Sequence, residues 1–553
     1  MPEFQLHPLD LAVVALYIAF IVGLGLYFAR RMGTSDDYFL AGRSLTWWLI
    51  GFSLFASNVS SSTFIGLSSA AFSSGISVYN YEWMAALVLV IFLVFFLPFY
   101  IRTRVFTLPE FLERRFDRAA RFYFSGMQIL MNIVIDAAAA LYAGALVVRI
   151  LYPQIPLWQS VAVLGVLGGL YTIPGGLKAV VYTDAVQAVL LLIGACIITA
   201  LSFQAVGGDW SVITANIPAE DLSIIKPLTD PVLPWPGLIT GVFLLGFYFW
   251  GTNQFMVQRA LGAKNLDHGR RGALFAGLLK LPVIFIIVLP GIFGRLLYPP
   301  GEFPELAANP DLILPTLMFD LLPVGIRGLI VTALLAAIMS SLDSILNSAS
   351  TLVTMDFVRT IKPGVSSHGL VIIGRVVTFV FMTLAILWAP QIANYPNIWT
   401  YLQQTLAYLS PPIVACFAAG VFWRRATAKG AVTALVVGHL AAAVIFVLGL
   451  SGFIIVQNQA LTEPQIEAAA SGTPVLQFLY IAPILFVISL AVLFGVSLAT
   501  RAPDAAHTRG LTWSARDFAE ETEALREVPI LRNYRYLSLA LLFVIVVFVV
   551  AWW

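Results

Sequence analysis

Charge is what this chain has least of. Asp, Glu, Lys and Arg make up 11% of the 553 residues, against 60% hydrophobic residues, where a soluble domain carries about a quarter charged residues. That ratio excludes an ordinary soluble enzyme. A net charge of +2 with no basic run excludes a nucleic-acid-binding surface. Cysteine is nearly absent: Cys196 and Cys416 both fall in apolar stretches, where they read as small core residues and not as a disulfide framework. Histidine is scarce too, with five in the chain. There is no HExxH and no Ser–His pairing, His7, His268, His368 and His507 fall in loops or tails, and His439 stands alone in an apolar run. Hydrolytic and zinc chemistry are left without residues. A basic leader is missing ahead of the first apolar run, which reads as a spanning helix and not a cleaved signal.

What is abundant is apolar length. Runs of about 20 residues cross the hydrocarbon core, and fourteen are present: 10–29, 47–74, 82–101, 122–150, 158–175, 180–205, 236–258, 272–297, 322–358, 367–389, 396–422, 430–450, 473–500 and 534–553. The chain is therefore expected to be an all-α polytopic membrane protein. Basic residues concentrate in the connections after runs one, three, seven, nine, eleven and thirteen. These hold Arg30, Arg31 and Arg43; six arginines from Arg102 to Arg121; Arg259, Lys264, Arg270 and Arg271; Arg359, Lys362 and Arg375; Arg424, Arg425 and Lys429; and the arginines of 501–533. Lys178 sits alone in a very short turn after run five. The other connections are acidic or neutral, as with Glu220 and Asp221, Glu302 and Asp311, or Glu463 and Glu467. Positive charge stays on the cytoplasmic side, which places both termini outside, in a plasma membrane, and makes 501–533 a cytoplasmic linker. Short loops and the lack of an exposed glycosylation triplet lean towards a bacterial inner membrane.

Two runs are interrupted by groups that do not suit lipid. The second carries SLFASNVSSSTFIG and the seventh LLGFYFWGTNQ, so breaks are expected near 56–63 and 246–251. They stand five runs apart, and interruptions at matching places in two halves point to an inverted-repeat transporter with its site at the midplane. In the ninth run, Ser340, Asp343, Ser344, Asn347 and Thr351 recur at three- and four-residue spacing and share one helix face. Hydroxyls and a carboxylate are hard ligands, suited to an alkali cation. Five intramembrane charges need explanation: Glu82, Asp136, Asp184, Lys280 and Asp343. Charged groups there are costly and mark sites by default.

The strings AGRSLTWW (41–48), GGLKAVVYTDAVQ (175–187), LPWPG (233–237), VQRALGAKN (257–265) and NSASTLVTMD (347–356) occur in this order, with fourteen runs around them. In this the chain resembles the sodium:solute symporter family, and within it the sodium/glucose cotransporter branch. The resemblance implies a five-plus-five inverted repeat of the leucine-transporter type: a leading helix in 1–46, repeats at 47–205 and 236–422, and three further helices in 430–553. It implies sodium-coupled uptake of a monosaccharide. It assigns substrate contacts to Asn58, Glu82, Lys280 and Gln403, with Phe249 where sugar members usually have tyrosine, then Trp250. Thr63 and Gly246 stand where the family has longer polar side chains, and Asp136 holds the polar position of the fourth run. It also assigns a sodium ion to the carbonyls of Ala56, Val59 and Ala337 and the hydroxyls of Ser340 and Ser341.

The residue chemistry agrees with a neutral polyol. Each sugar hydroxyl donates and accepts, and Glu82 accepts, Lys280 donates, and Asn58 and Gln403 do both. Glu82 and Asp136 disfavour an anionic substrate. The departures at Thr63 and Gly246 leave inositol or another small solute of the family as the alternative, and a substrate-gated sensor or channel as a more distant one. A second sodium is expected at Ser340, Asp343, Ser344 and Asp184. Asp343 and Ser344 continue the oxygen stripe one turn beyond Ser340, and the resemblance places Asp184 opposite.

Overall fold

The computed structural model describes residues 7–29, 35–152, 154–395 and 397–553; Arg30 and Arg31 of the first basic connection lie outside these. Lipid offers no partner to backbone amides and carbonyls, so an apolar chain must satisfy them within helices. Accordingly the described residues are overwhelmingly helical. Their strands are one parallel pair, Ile455–Gln457 with Val475–Gln477, flanking the short helix Glu463–Ala470 in an acidic connection.

Eight helices are individually long and apolar enough to cross a membrane, and three bent pairs raise this to eleven. Pro8–Ile21 and Leu157–Gly168 are shorter apolar helices. These segments match every expected run except the seventh, which is built from short pieces. Two wide π-helical stretches, Leu238–Val242 and Tyr248–Thr252, enclose Phe243–Phe247; the chain leaves helix at Asn253 and resumes at Gln254–Leu261. The break thus falls at Asn253, beyond the expected 246–251. Gly246 and Gly251 stay in helical turns, while Asn253 takes extended dihedrals and its side chain accepts from the amide of Phe255 at 3.2 Å. An asparagine can leave one helix and cap the next, and a glycine offers no such replacement for the lost bonds.

Two further expectations need correction. Runs five and six fall on Leu157–Gly168 and Leu177–Ala205, and the stretch with Pro174, Gly175 and Gly176, where a short turn before Lys178 was expected, keeps helical backbone from Leu157 through Ala205. Breaks are also more numerous than two. The eighth span bends by 44° after Lys280 and the eleventh by 50° after Leu409, at Pro282 and at the Pro411–Pro412 pair, because proline removes an amide and clashes with the preceding turn. In the eighth span, the hydroxyl of Tyr79 donates to the carbonyl of Leu281 at 2.9 Å.

The basic connections gather at one end of the bundle. Arg43 donates to the carbonyls of Arg104 and Val105, Arg115 to Gly420, Trp423 and Ala426, Arg118 to Thr360, and Arg425 to Thr500. Arg121 pairs with Asp356, and Arg270 with Glu521. The described chain ends lie with the acidic connections instead. Asp10 accepts from the amides of Gly325 and Gly328 at 2.7 Å, at the start of helix Ile326–Thr351, and the carbonyl of Trp552 accepts from Ile224. Ile326–Thr351 is the buried axis of the fold, with 89% of the apolar window of this span inside the protein.

Candidate transport site

The first broken span ends its opening helix, Trp47–Asn58, and restarts at Ser61 with a 57° bend. Side chains at the break repair what it exposes. Ser60 accepts from the amide of Thr63, and the Thr63 hydroxyl donates to the carbonyl of Asn58 at 2.7 Å. A helix end leaves its last carbonyls without intrahelical donors, and Ala56 and Val59 sit at this end, where the neighbouring Ser57 hydroxyl meets Ser344 of Ile326–Thr351 at 3.0 Å.

Beside the break lies a cavity whose empty space, open mouth included, is about 780 Å³. Eight of the nine expected substrate residues line it: Asn58, Thr63, Glu82, Asp136, Gly246, Phe249, Trp250 and Gln403. Lys280 stands behind Glu82, its Nζ 2.6 Å from the Glu82 carboxylate and 5.5 Å from the Trp250 ring centroid. Lys280 is the last residue before its own helix breaks, which explains how an ammonium reaches the site from a spanning segment. Asp136 belongs to a π-helical turn, Asn132–Ala137, a widened geometry frequent at functional positions. Phe249 and Trp250 pack edge to face at 5.4 Å. Gly246 has no tight neighbour: a Cβ there would meet Val88 at 3.5 Å, ordinary contact. The sequence reading missed Tyr81, Phe255 and Trp399 in the lining. Trp399 was within reach, since it precedes Gln403 by one helical turn and shares its face.

Of the expected sodium ligands, Ser341 lines the cavity and its hydroxyl donates to the carbonyl of Ala337 at 2.9 Å. Ser340 turns the other way and donates to Asp184 Oδ1 at 2.6 Å. Asp184, Ser340 and Ser344 thus come together as expected. Ser344 donates to the carbonyl of Ser340 at 2.6 Å, and Asp343 is buried on the same helix. Ser53 and Ser57 of the first broken span also bind the Asp184 carboxylate. One member of this cluster was misplaced by sequence: Arg259, counted among connection charges, is 1% exposed and ion-paired with Asp184 at 3.3 Å. It stands six residues past the Asn253 break, on a half-helix buried along its whole length. His439 is structural, held between the carbonyls of Leu409 and Leu435.

The model of the sodium:solute symporter family matches residues 38–438. Among similar curated proteins, sodium/glucose cotransporter 4 of Danio rerio is 36% identical over 95% of this chain and 84% of its own length. Sodium/glucose cotransporter 1 of Oryctolagus cuniculus is 35% identical over 93% and 82%, and sodium/myo-inositol cotransporter 2 of Mus musculus 36% identical over 96% and 83%. A solved sodium-coupled sialic acid symporter, in a substrate-bound outward-open state, superposes with a TM-score of 0.75 at 26% identity, covering 90% of this chain and 99% of that one. A nucleobase-cation-symport-1 transporter, at TM-score 0.56 and 15% identity over 87% and 99%, shares the fold alone. The chain belongs to the sodium:solute symporter family and is a multi-pass, sodium-coupled membrane transporter of the inverted-repeat fold, not an enzyme.

Proposed function

We propose that this protein carries a monosaccharide of the glucose or galactose type into the cell together with sodium, by alternating access. The carrying observation is the ring of mixed donors and acceptors around the cavity. Glu82 and Lys280 neutralise each other while keeping free hydrogen-bonding capacity, and Asn58 and Gln403 add amides that both donate and accept. Phe249, Trp250 and Trp399 supply flat apolar faces for sugar C–H groups. Lys280, the cation behind the lining, is already paired with Glu82, which argues against an anionic solute. Inositol is the second reading, favoured because the similar proteins include myo-inositol as well as glucose cotransporters.

In this reading sodium is cargo and fastener together. Held by the carbonyls of Ala56, Val59 and Ala337 and the hydroxyls of Ser340 and Ser341, it ties the first broken span to Ile326–Thr351 and favours the substrate-binding state. The coupling is reciprocal: whatever sodium adds to sugar affinity, sugar adds to sodium affinity. Each ion entering down a membrane potential contributes about 2.3 kcal/mol per 100 mV. Phe249 and Trp250 serve as the inner gate. The cytoplasmic side is the end where the arginines gather, which sets both chain ends outside the plasma membrane, of a bacterium in our reading. Uptake of a panel of labelled sugars and polyols into proteoliposomes, with and without a sodium gradient, tests it. Sodium-dependent accumulation of hexoses supports the reading, accumulation of inositol alone moves it to the second, and sodium current without solute accumulation marks a channel or sensor.

A further inference from the structure

We propose that Arg259 is the inner latch of this transporter, the group that holds the basic end of the substrate path closed. The inference rests on alternating access and deepens it, and its readout does not depend on which solute is carried.

Arg259 sits on Gln254–Leu261, the half-helix on the basic side of the Asn253 break, and its guanidinium joins three other elements. Nε donates to Ser53 at 2.7 Å, on the opening half of the first broken span. Nη2 reaches Asp184, on Leu157–Ala205, at 3.3 Å, and also Ser344 on Ile326–Thr351. Nη1 is anchored to its own helix at the carbonyl of Phe255. Ser57 reinforces the same knot, binding both Asp184 and Ser344. The preceding residue, Gln258, donates to Thr351 at 3.0 Å and to the carbonyl of Phe39 at 2.6 Å. The two broken spans thus meet on the basic side of the cavity through one planar cation.

A guanidinium suits this task because its donors form a rigid fork that binds several acceptors at once, and it stays charged when buried. In a lysine the same charge would be one point on a flexible stem. The knot is also costly to leave half made, since withdrawing Arg259 strands a buried carboxylate. A group that is satisfied in one arrangement and stranded in an intermediate one favours two discrete states, as a gate requires. Opening towards the basic end must part Gln254–Leu261 from Trp47–Asn58, and the Arg259–Ser53 bond spans that seam directly. A sodium ion at Asp184 would compete for the oxygens Arg259 holds, which ties the state of the latch to the ion.

The test measures accessibility of the cavity from each face. A cysteine is placed at Ile345, which lines the cavity, in a chain with Cys196→Ser, and a membrane-impermeant thiol reagent is applied to right-side-out and inverted vesicles. Ser53→Ala and Arg259→Lys are compared with the parent without substrate. Ser53→Ala leaves the Asp184–Arg259 pair intact, so the test survives if the arginine variant fails to fold. Ser53→Ala loses the hydrogen bonds Ser53 makes to Arg259 and to Asp184, and labelling from the basic face should speed up by on the order of ten-fold or more and slow from the other face. Unchanged labelling from both faces, or equal acceleration from both, overturns the proposal.

Discussion

Glu82 accepts a 2.6 Å hydrogen bond from the ammonium of Lys280 across 198 residues of sequence, and both groups are buried at the wall of the cavity. Removing one partner of such a pair strands the other and costs about 3–5 kcal/mol. Lys280→Met is therefore expected to reduce folded protein sharply, with a recovered yield in the double variant Glu82→Gln, Lys280→Met. Sodium-dependent uptake should stay abolished in both. Size-exclusion profiles set beside uptake separate the two effects; normal uptake by the double variant would remove the pair from the substrate site.

Gln403 offers a cleaner measure of recognition, because it lines the cavity without belonging to an ion pair. Gln403→Ala leaves substrate hydroxyls without a partner, a loss of about 1–3 kcal/mol. Apparent substrate affinity should fall from several-fold to roughly a hundred-fold, with near-normal thermal stability and sodium half-saturation. A concentration series of labelled substrate checks this, and an unchanged half-saturation concentration excludes the contact.

The parts of this protein written as local pattern were legible in its sequence. Apolar length announces spans, arginine placement announces the basic end, and the Ser340–Thr351 stripe announces a polar face whatever it meets. Arg259 was misread because loop charge and buried charge look alike until the Asn253 break shows where the half-helix turns. The break was placed early because glycine signals permission to bend, while Asn253 supplies the bonds that make bending affordable in lipid. The bends at Pro282 and Pro411 carried a signal in their prolines, but it was outweighed by the continuity of the apolar runs.

The sodium assignment predicts a separation of ion and solute effects. Ser341 lies by the Ala337 carbonyl at the cavity, and Ser340 bridges to Asp184. Replacing both with alanine should raise the sodium concentration for half-maximal uptake at least several-fold, while substrate selectivity at saturating sodium stays as in the parent. Sodium titrations at fixed substrate check this. An unmoved sodium dependence in the double variant assigns the ion elsewhere.

Asp311 provides a pH signature outside the spanning segments. Its carboxylate is buried and accepts from the amide of Ile398 at 3.0 Å, where the Gln403 helix begins. Burial pushes its pKa up to about 6, and the Ser69 hydroxyl and Ile398 amide pull the other way. An acid with a raised folded-state pKa binds more protons folded than unfolded, so stability falls as pH climbs from about 4 through 6. It is greatest, for this group, below the unfolded value. Asp311→Asn keeps an acceptor for Ile398 and removes the titration. The gap in apparent Tm between variant and parent should widen in the variant's favour from pH 5 to pH 7. A constant gap would mean Asp311 does not titrate there.

The last prediction concerns the second cation. Asp184 and Asp343 bring two carboxylates to one buried region, and Arg259 supplies one positive charge to it. Neighbouring buried carboxylates disfavour each other's ionised form, and a cation or a proton beside them relieves this. The hydroxyls of Ser340 and Ser344 turn towards the same place, and hydroxyl and carboxylate oxygens suit sodium. Two charges should therefore move with each solute molecule, and the ratio should be indifferent to pH. Asp343→Asn removes one carboxylate charge at nearly constant shape, so its ratio should drop to one while substrate half-saturation at high sodium is kept. Charge and labelled solute flux measured together under voltage clamp decide this. A ratio that follows pH assigns the second charge to a proton, and a ratio of one in parent and variant alike leaves the second cation without support.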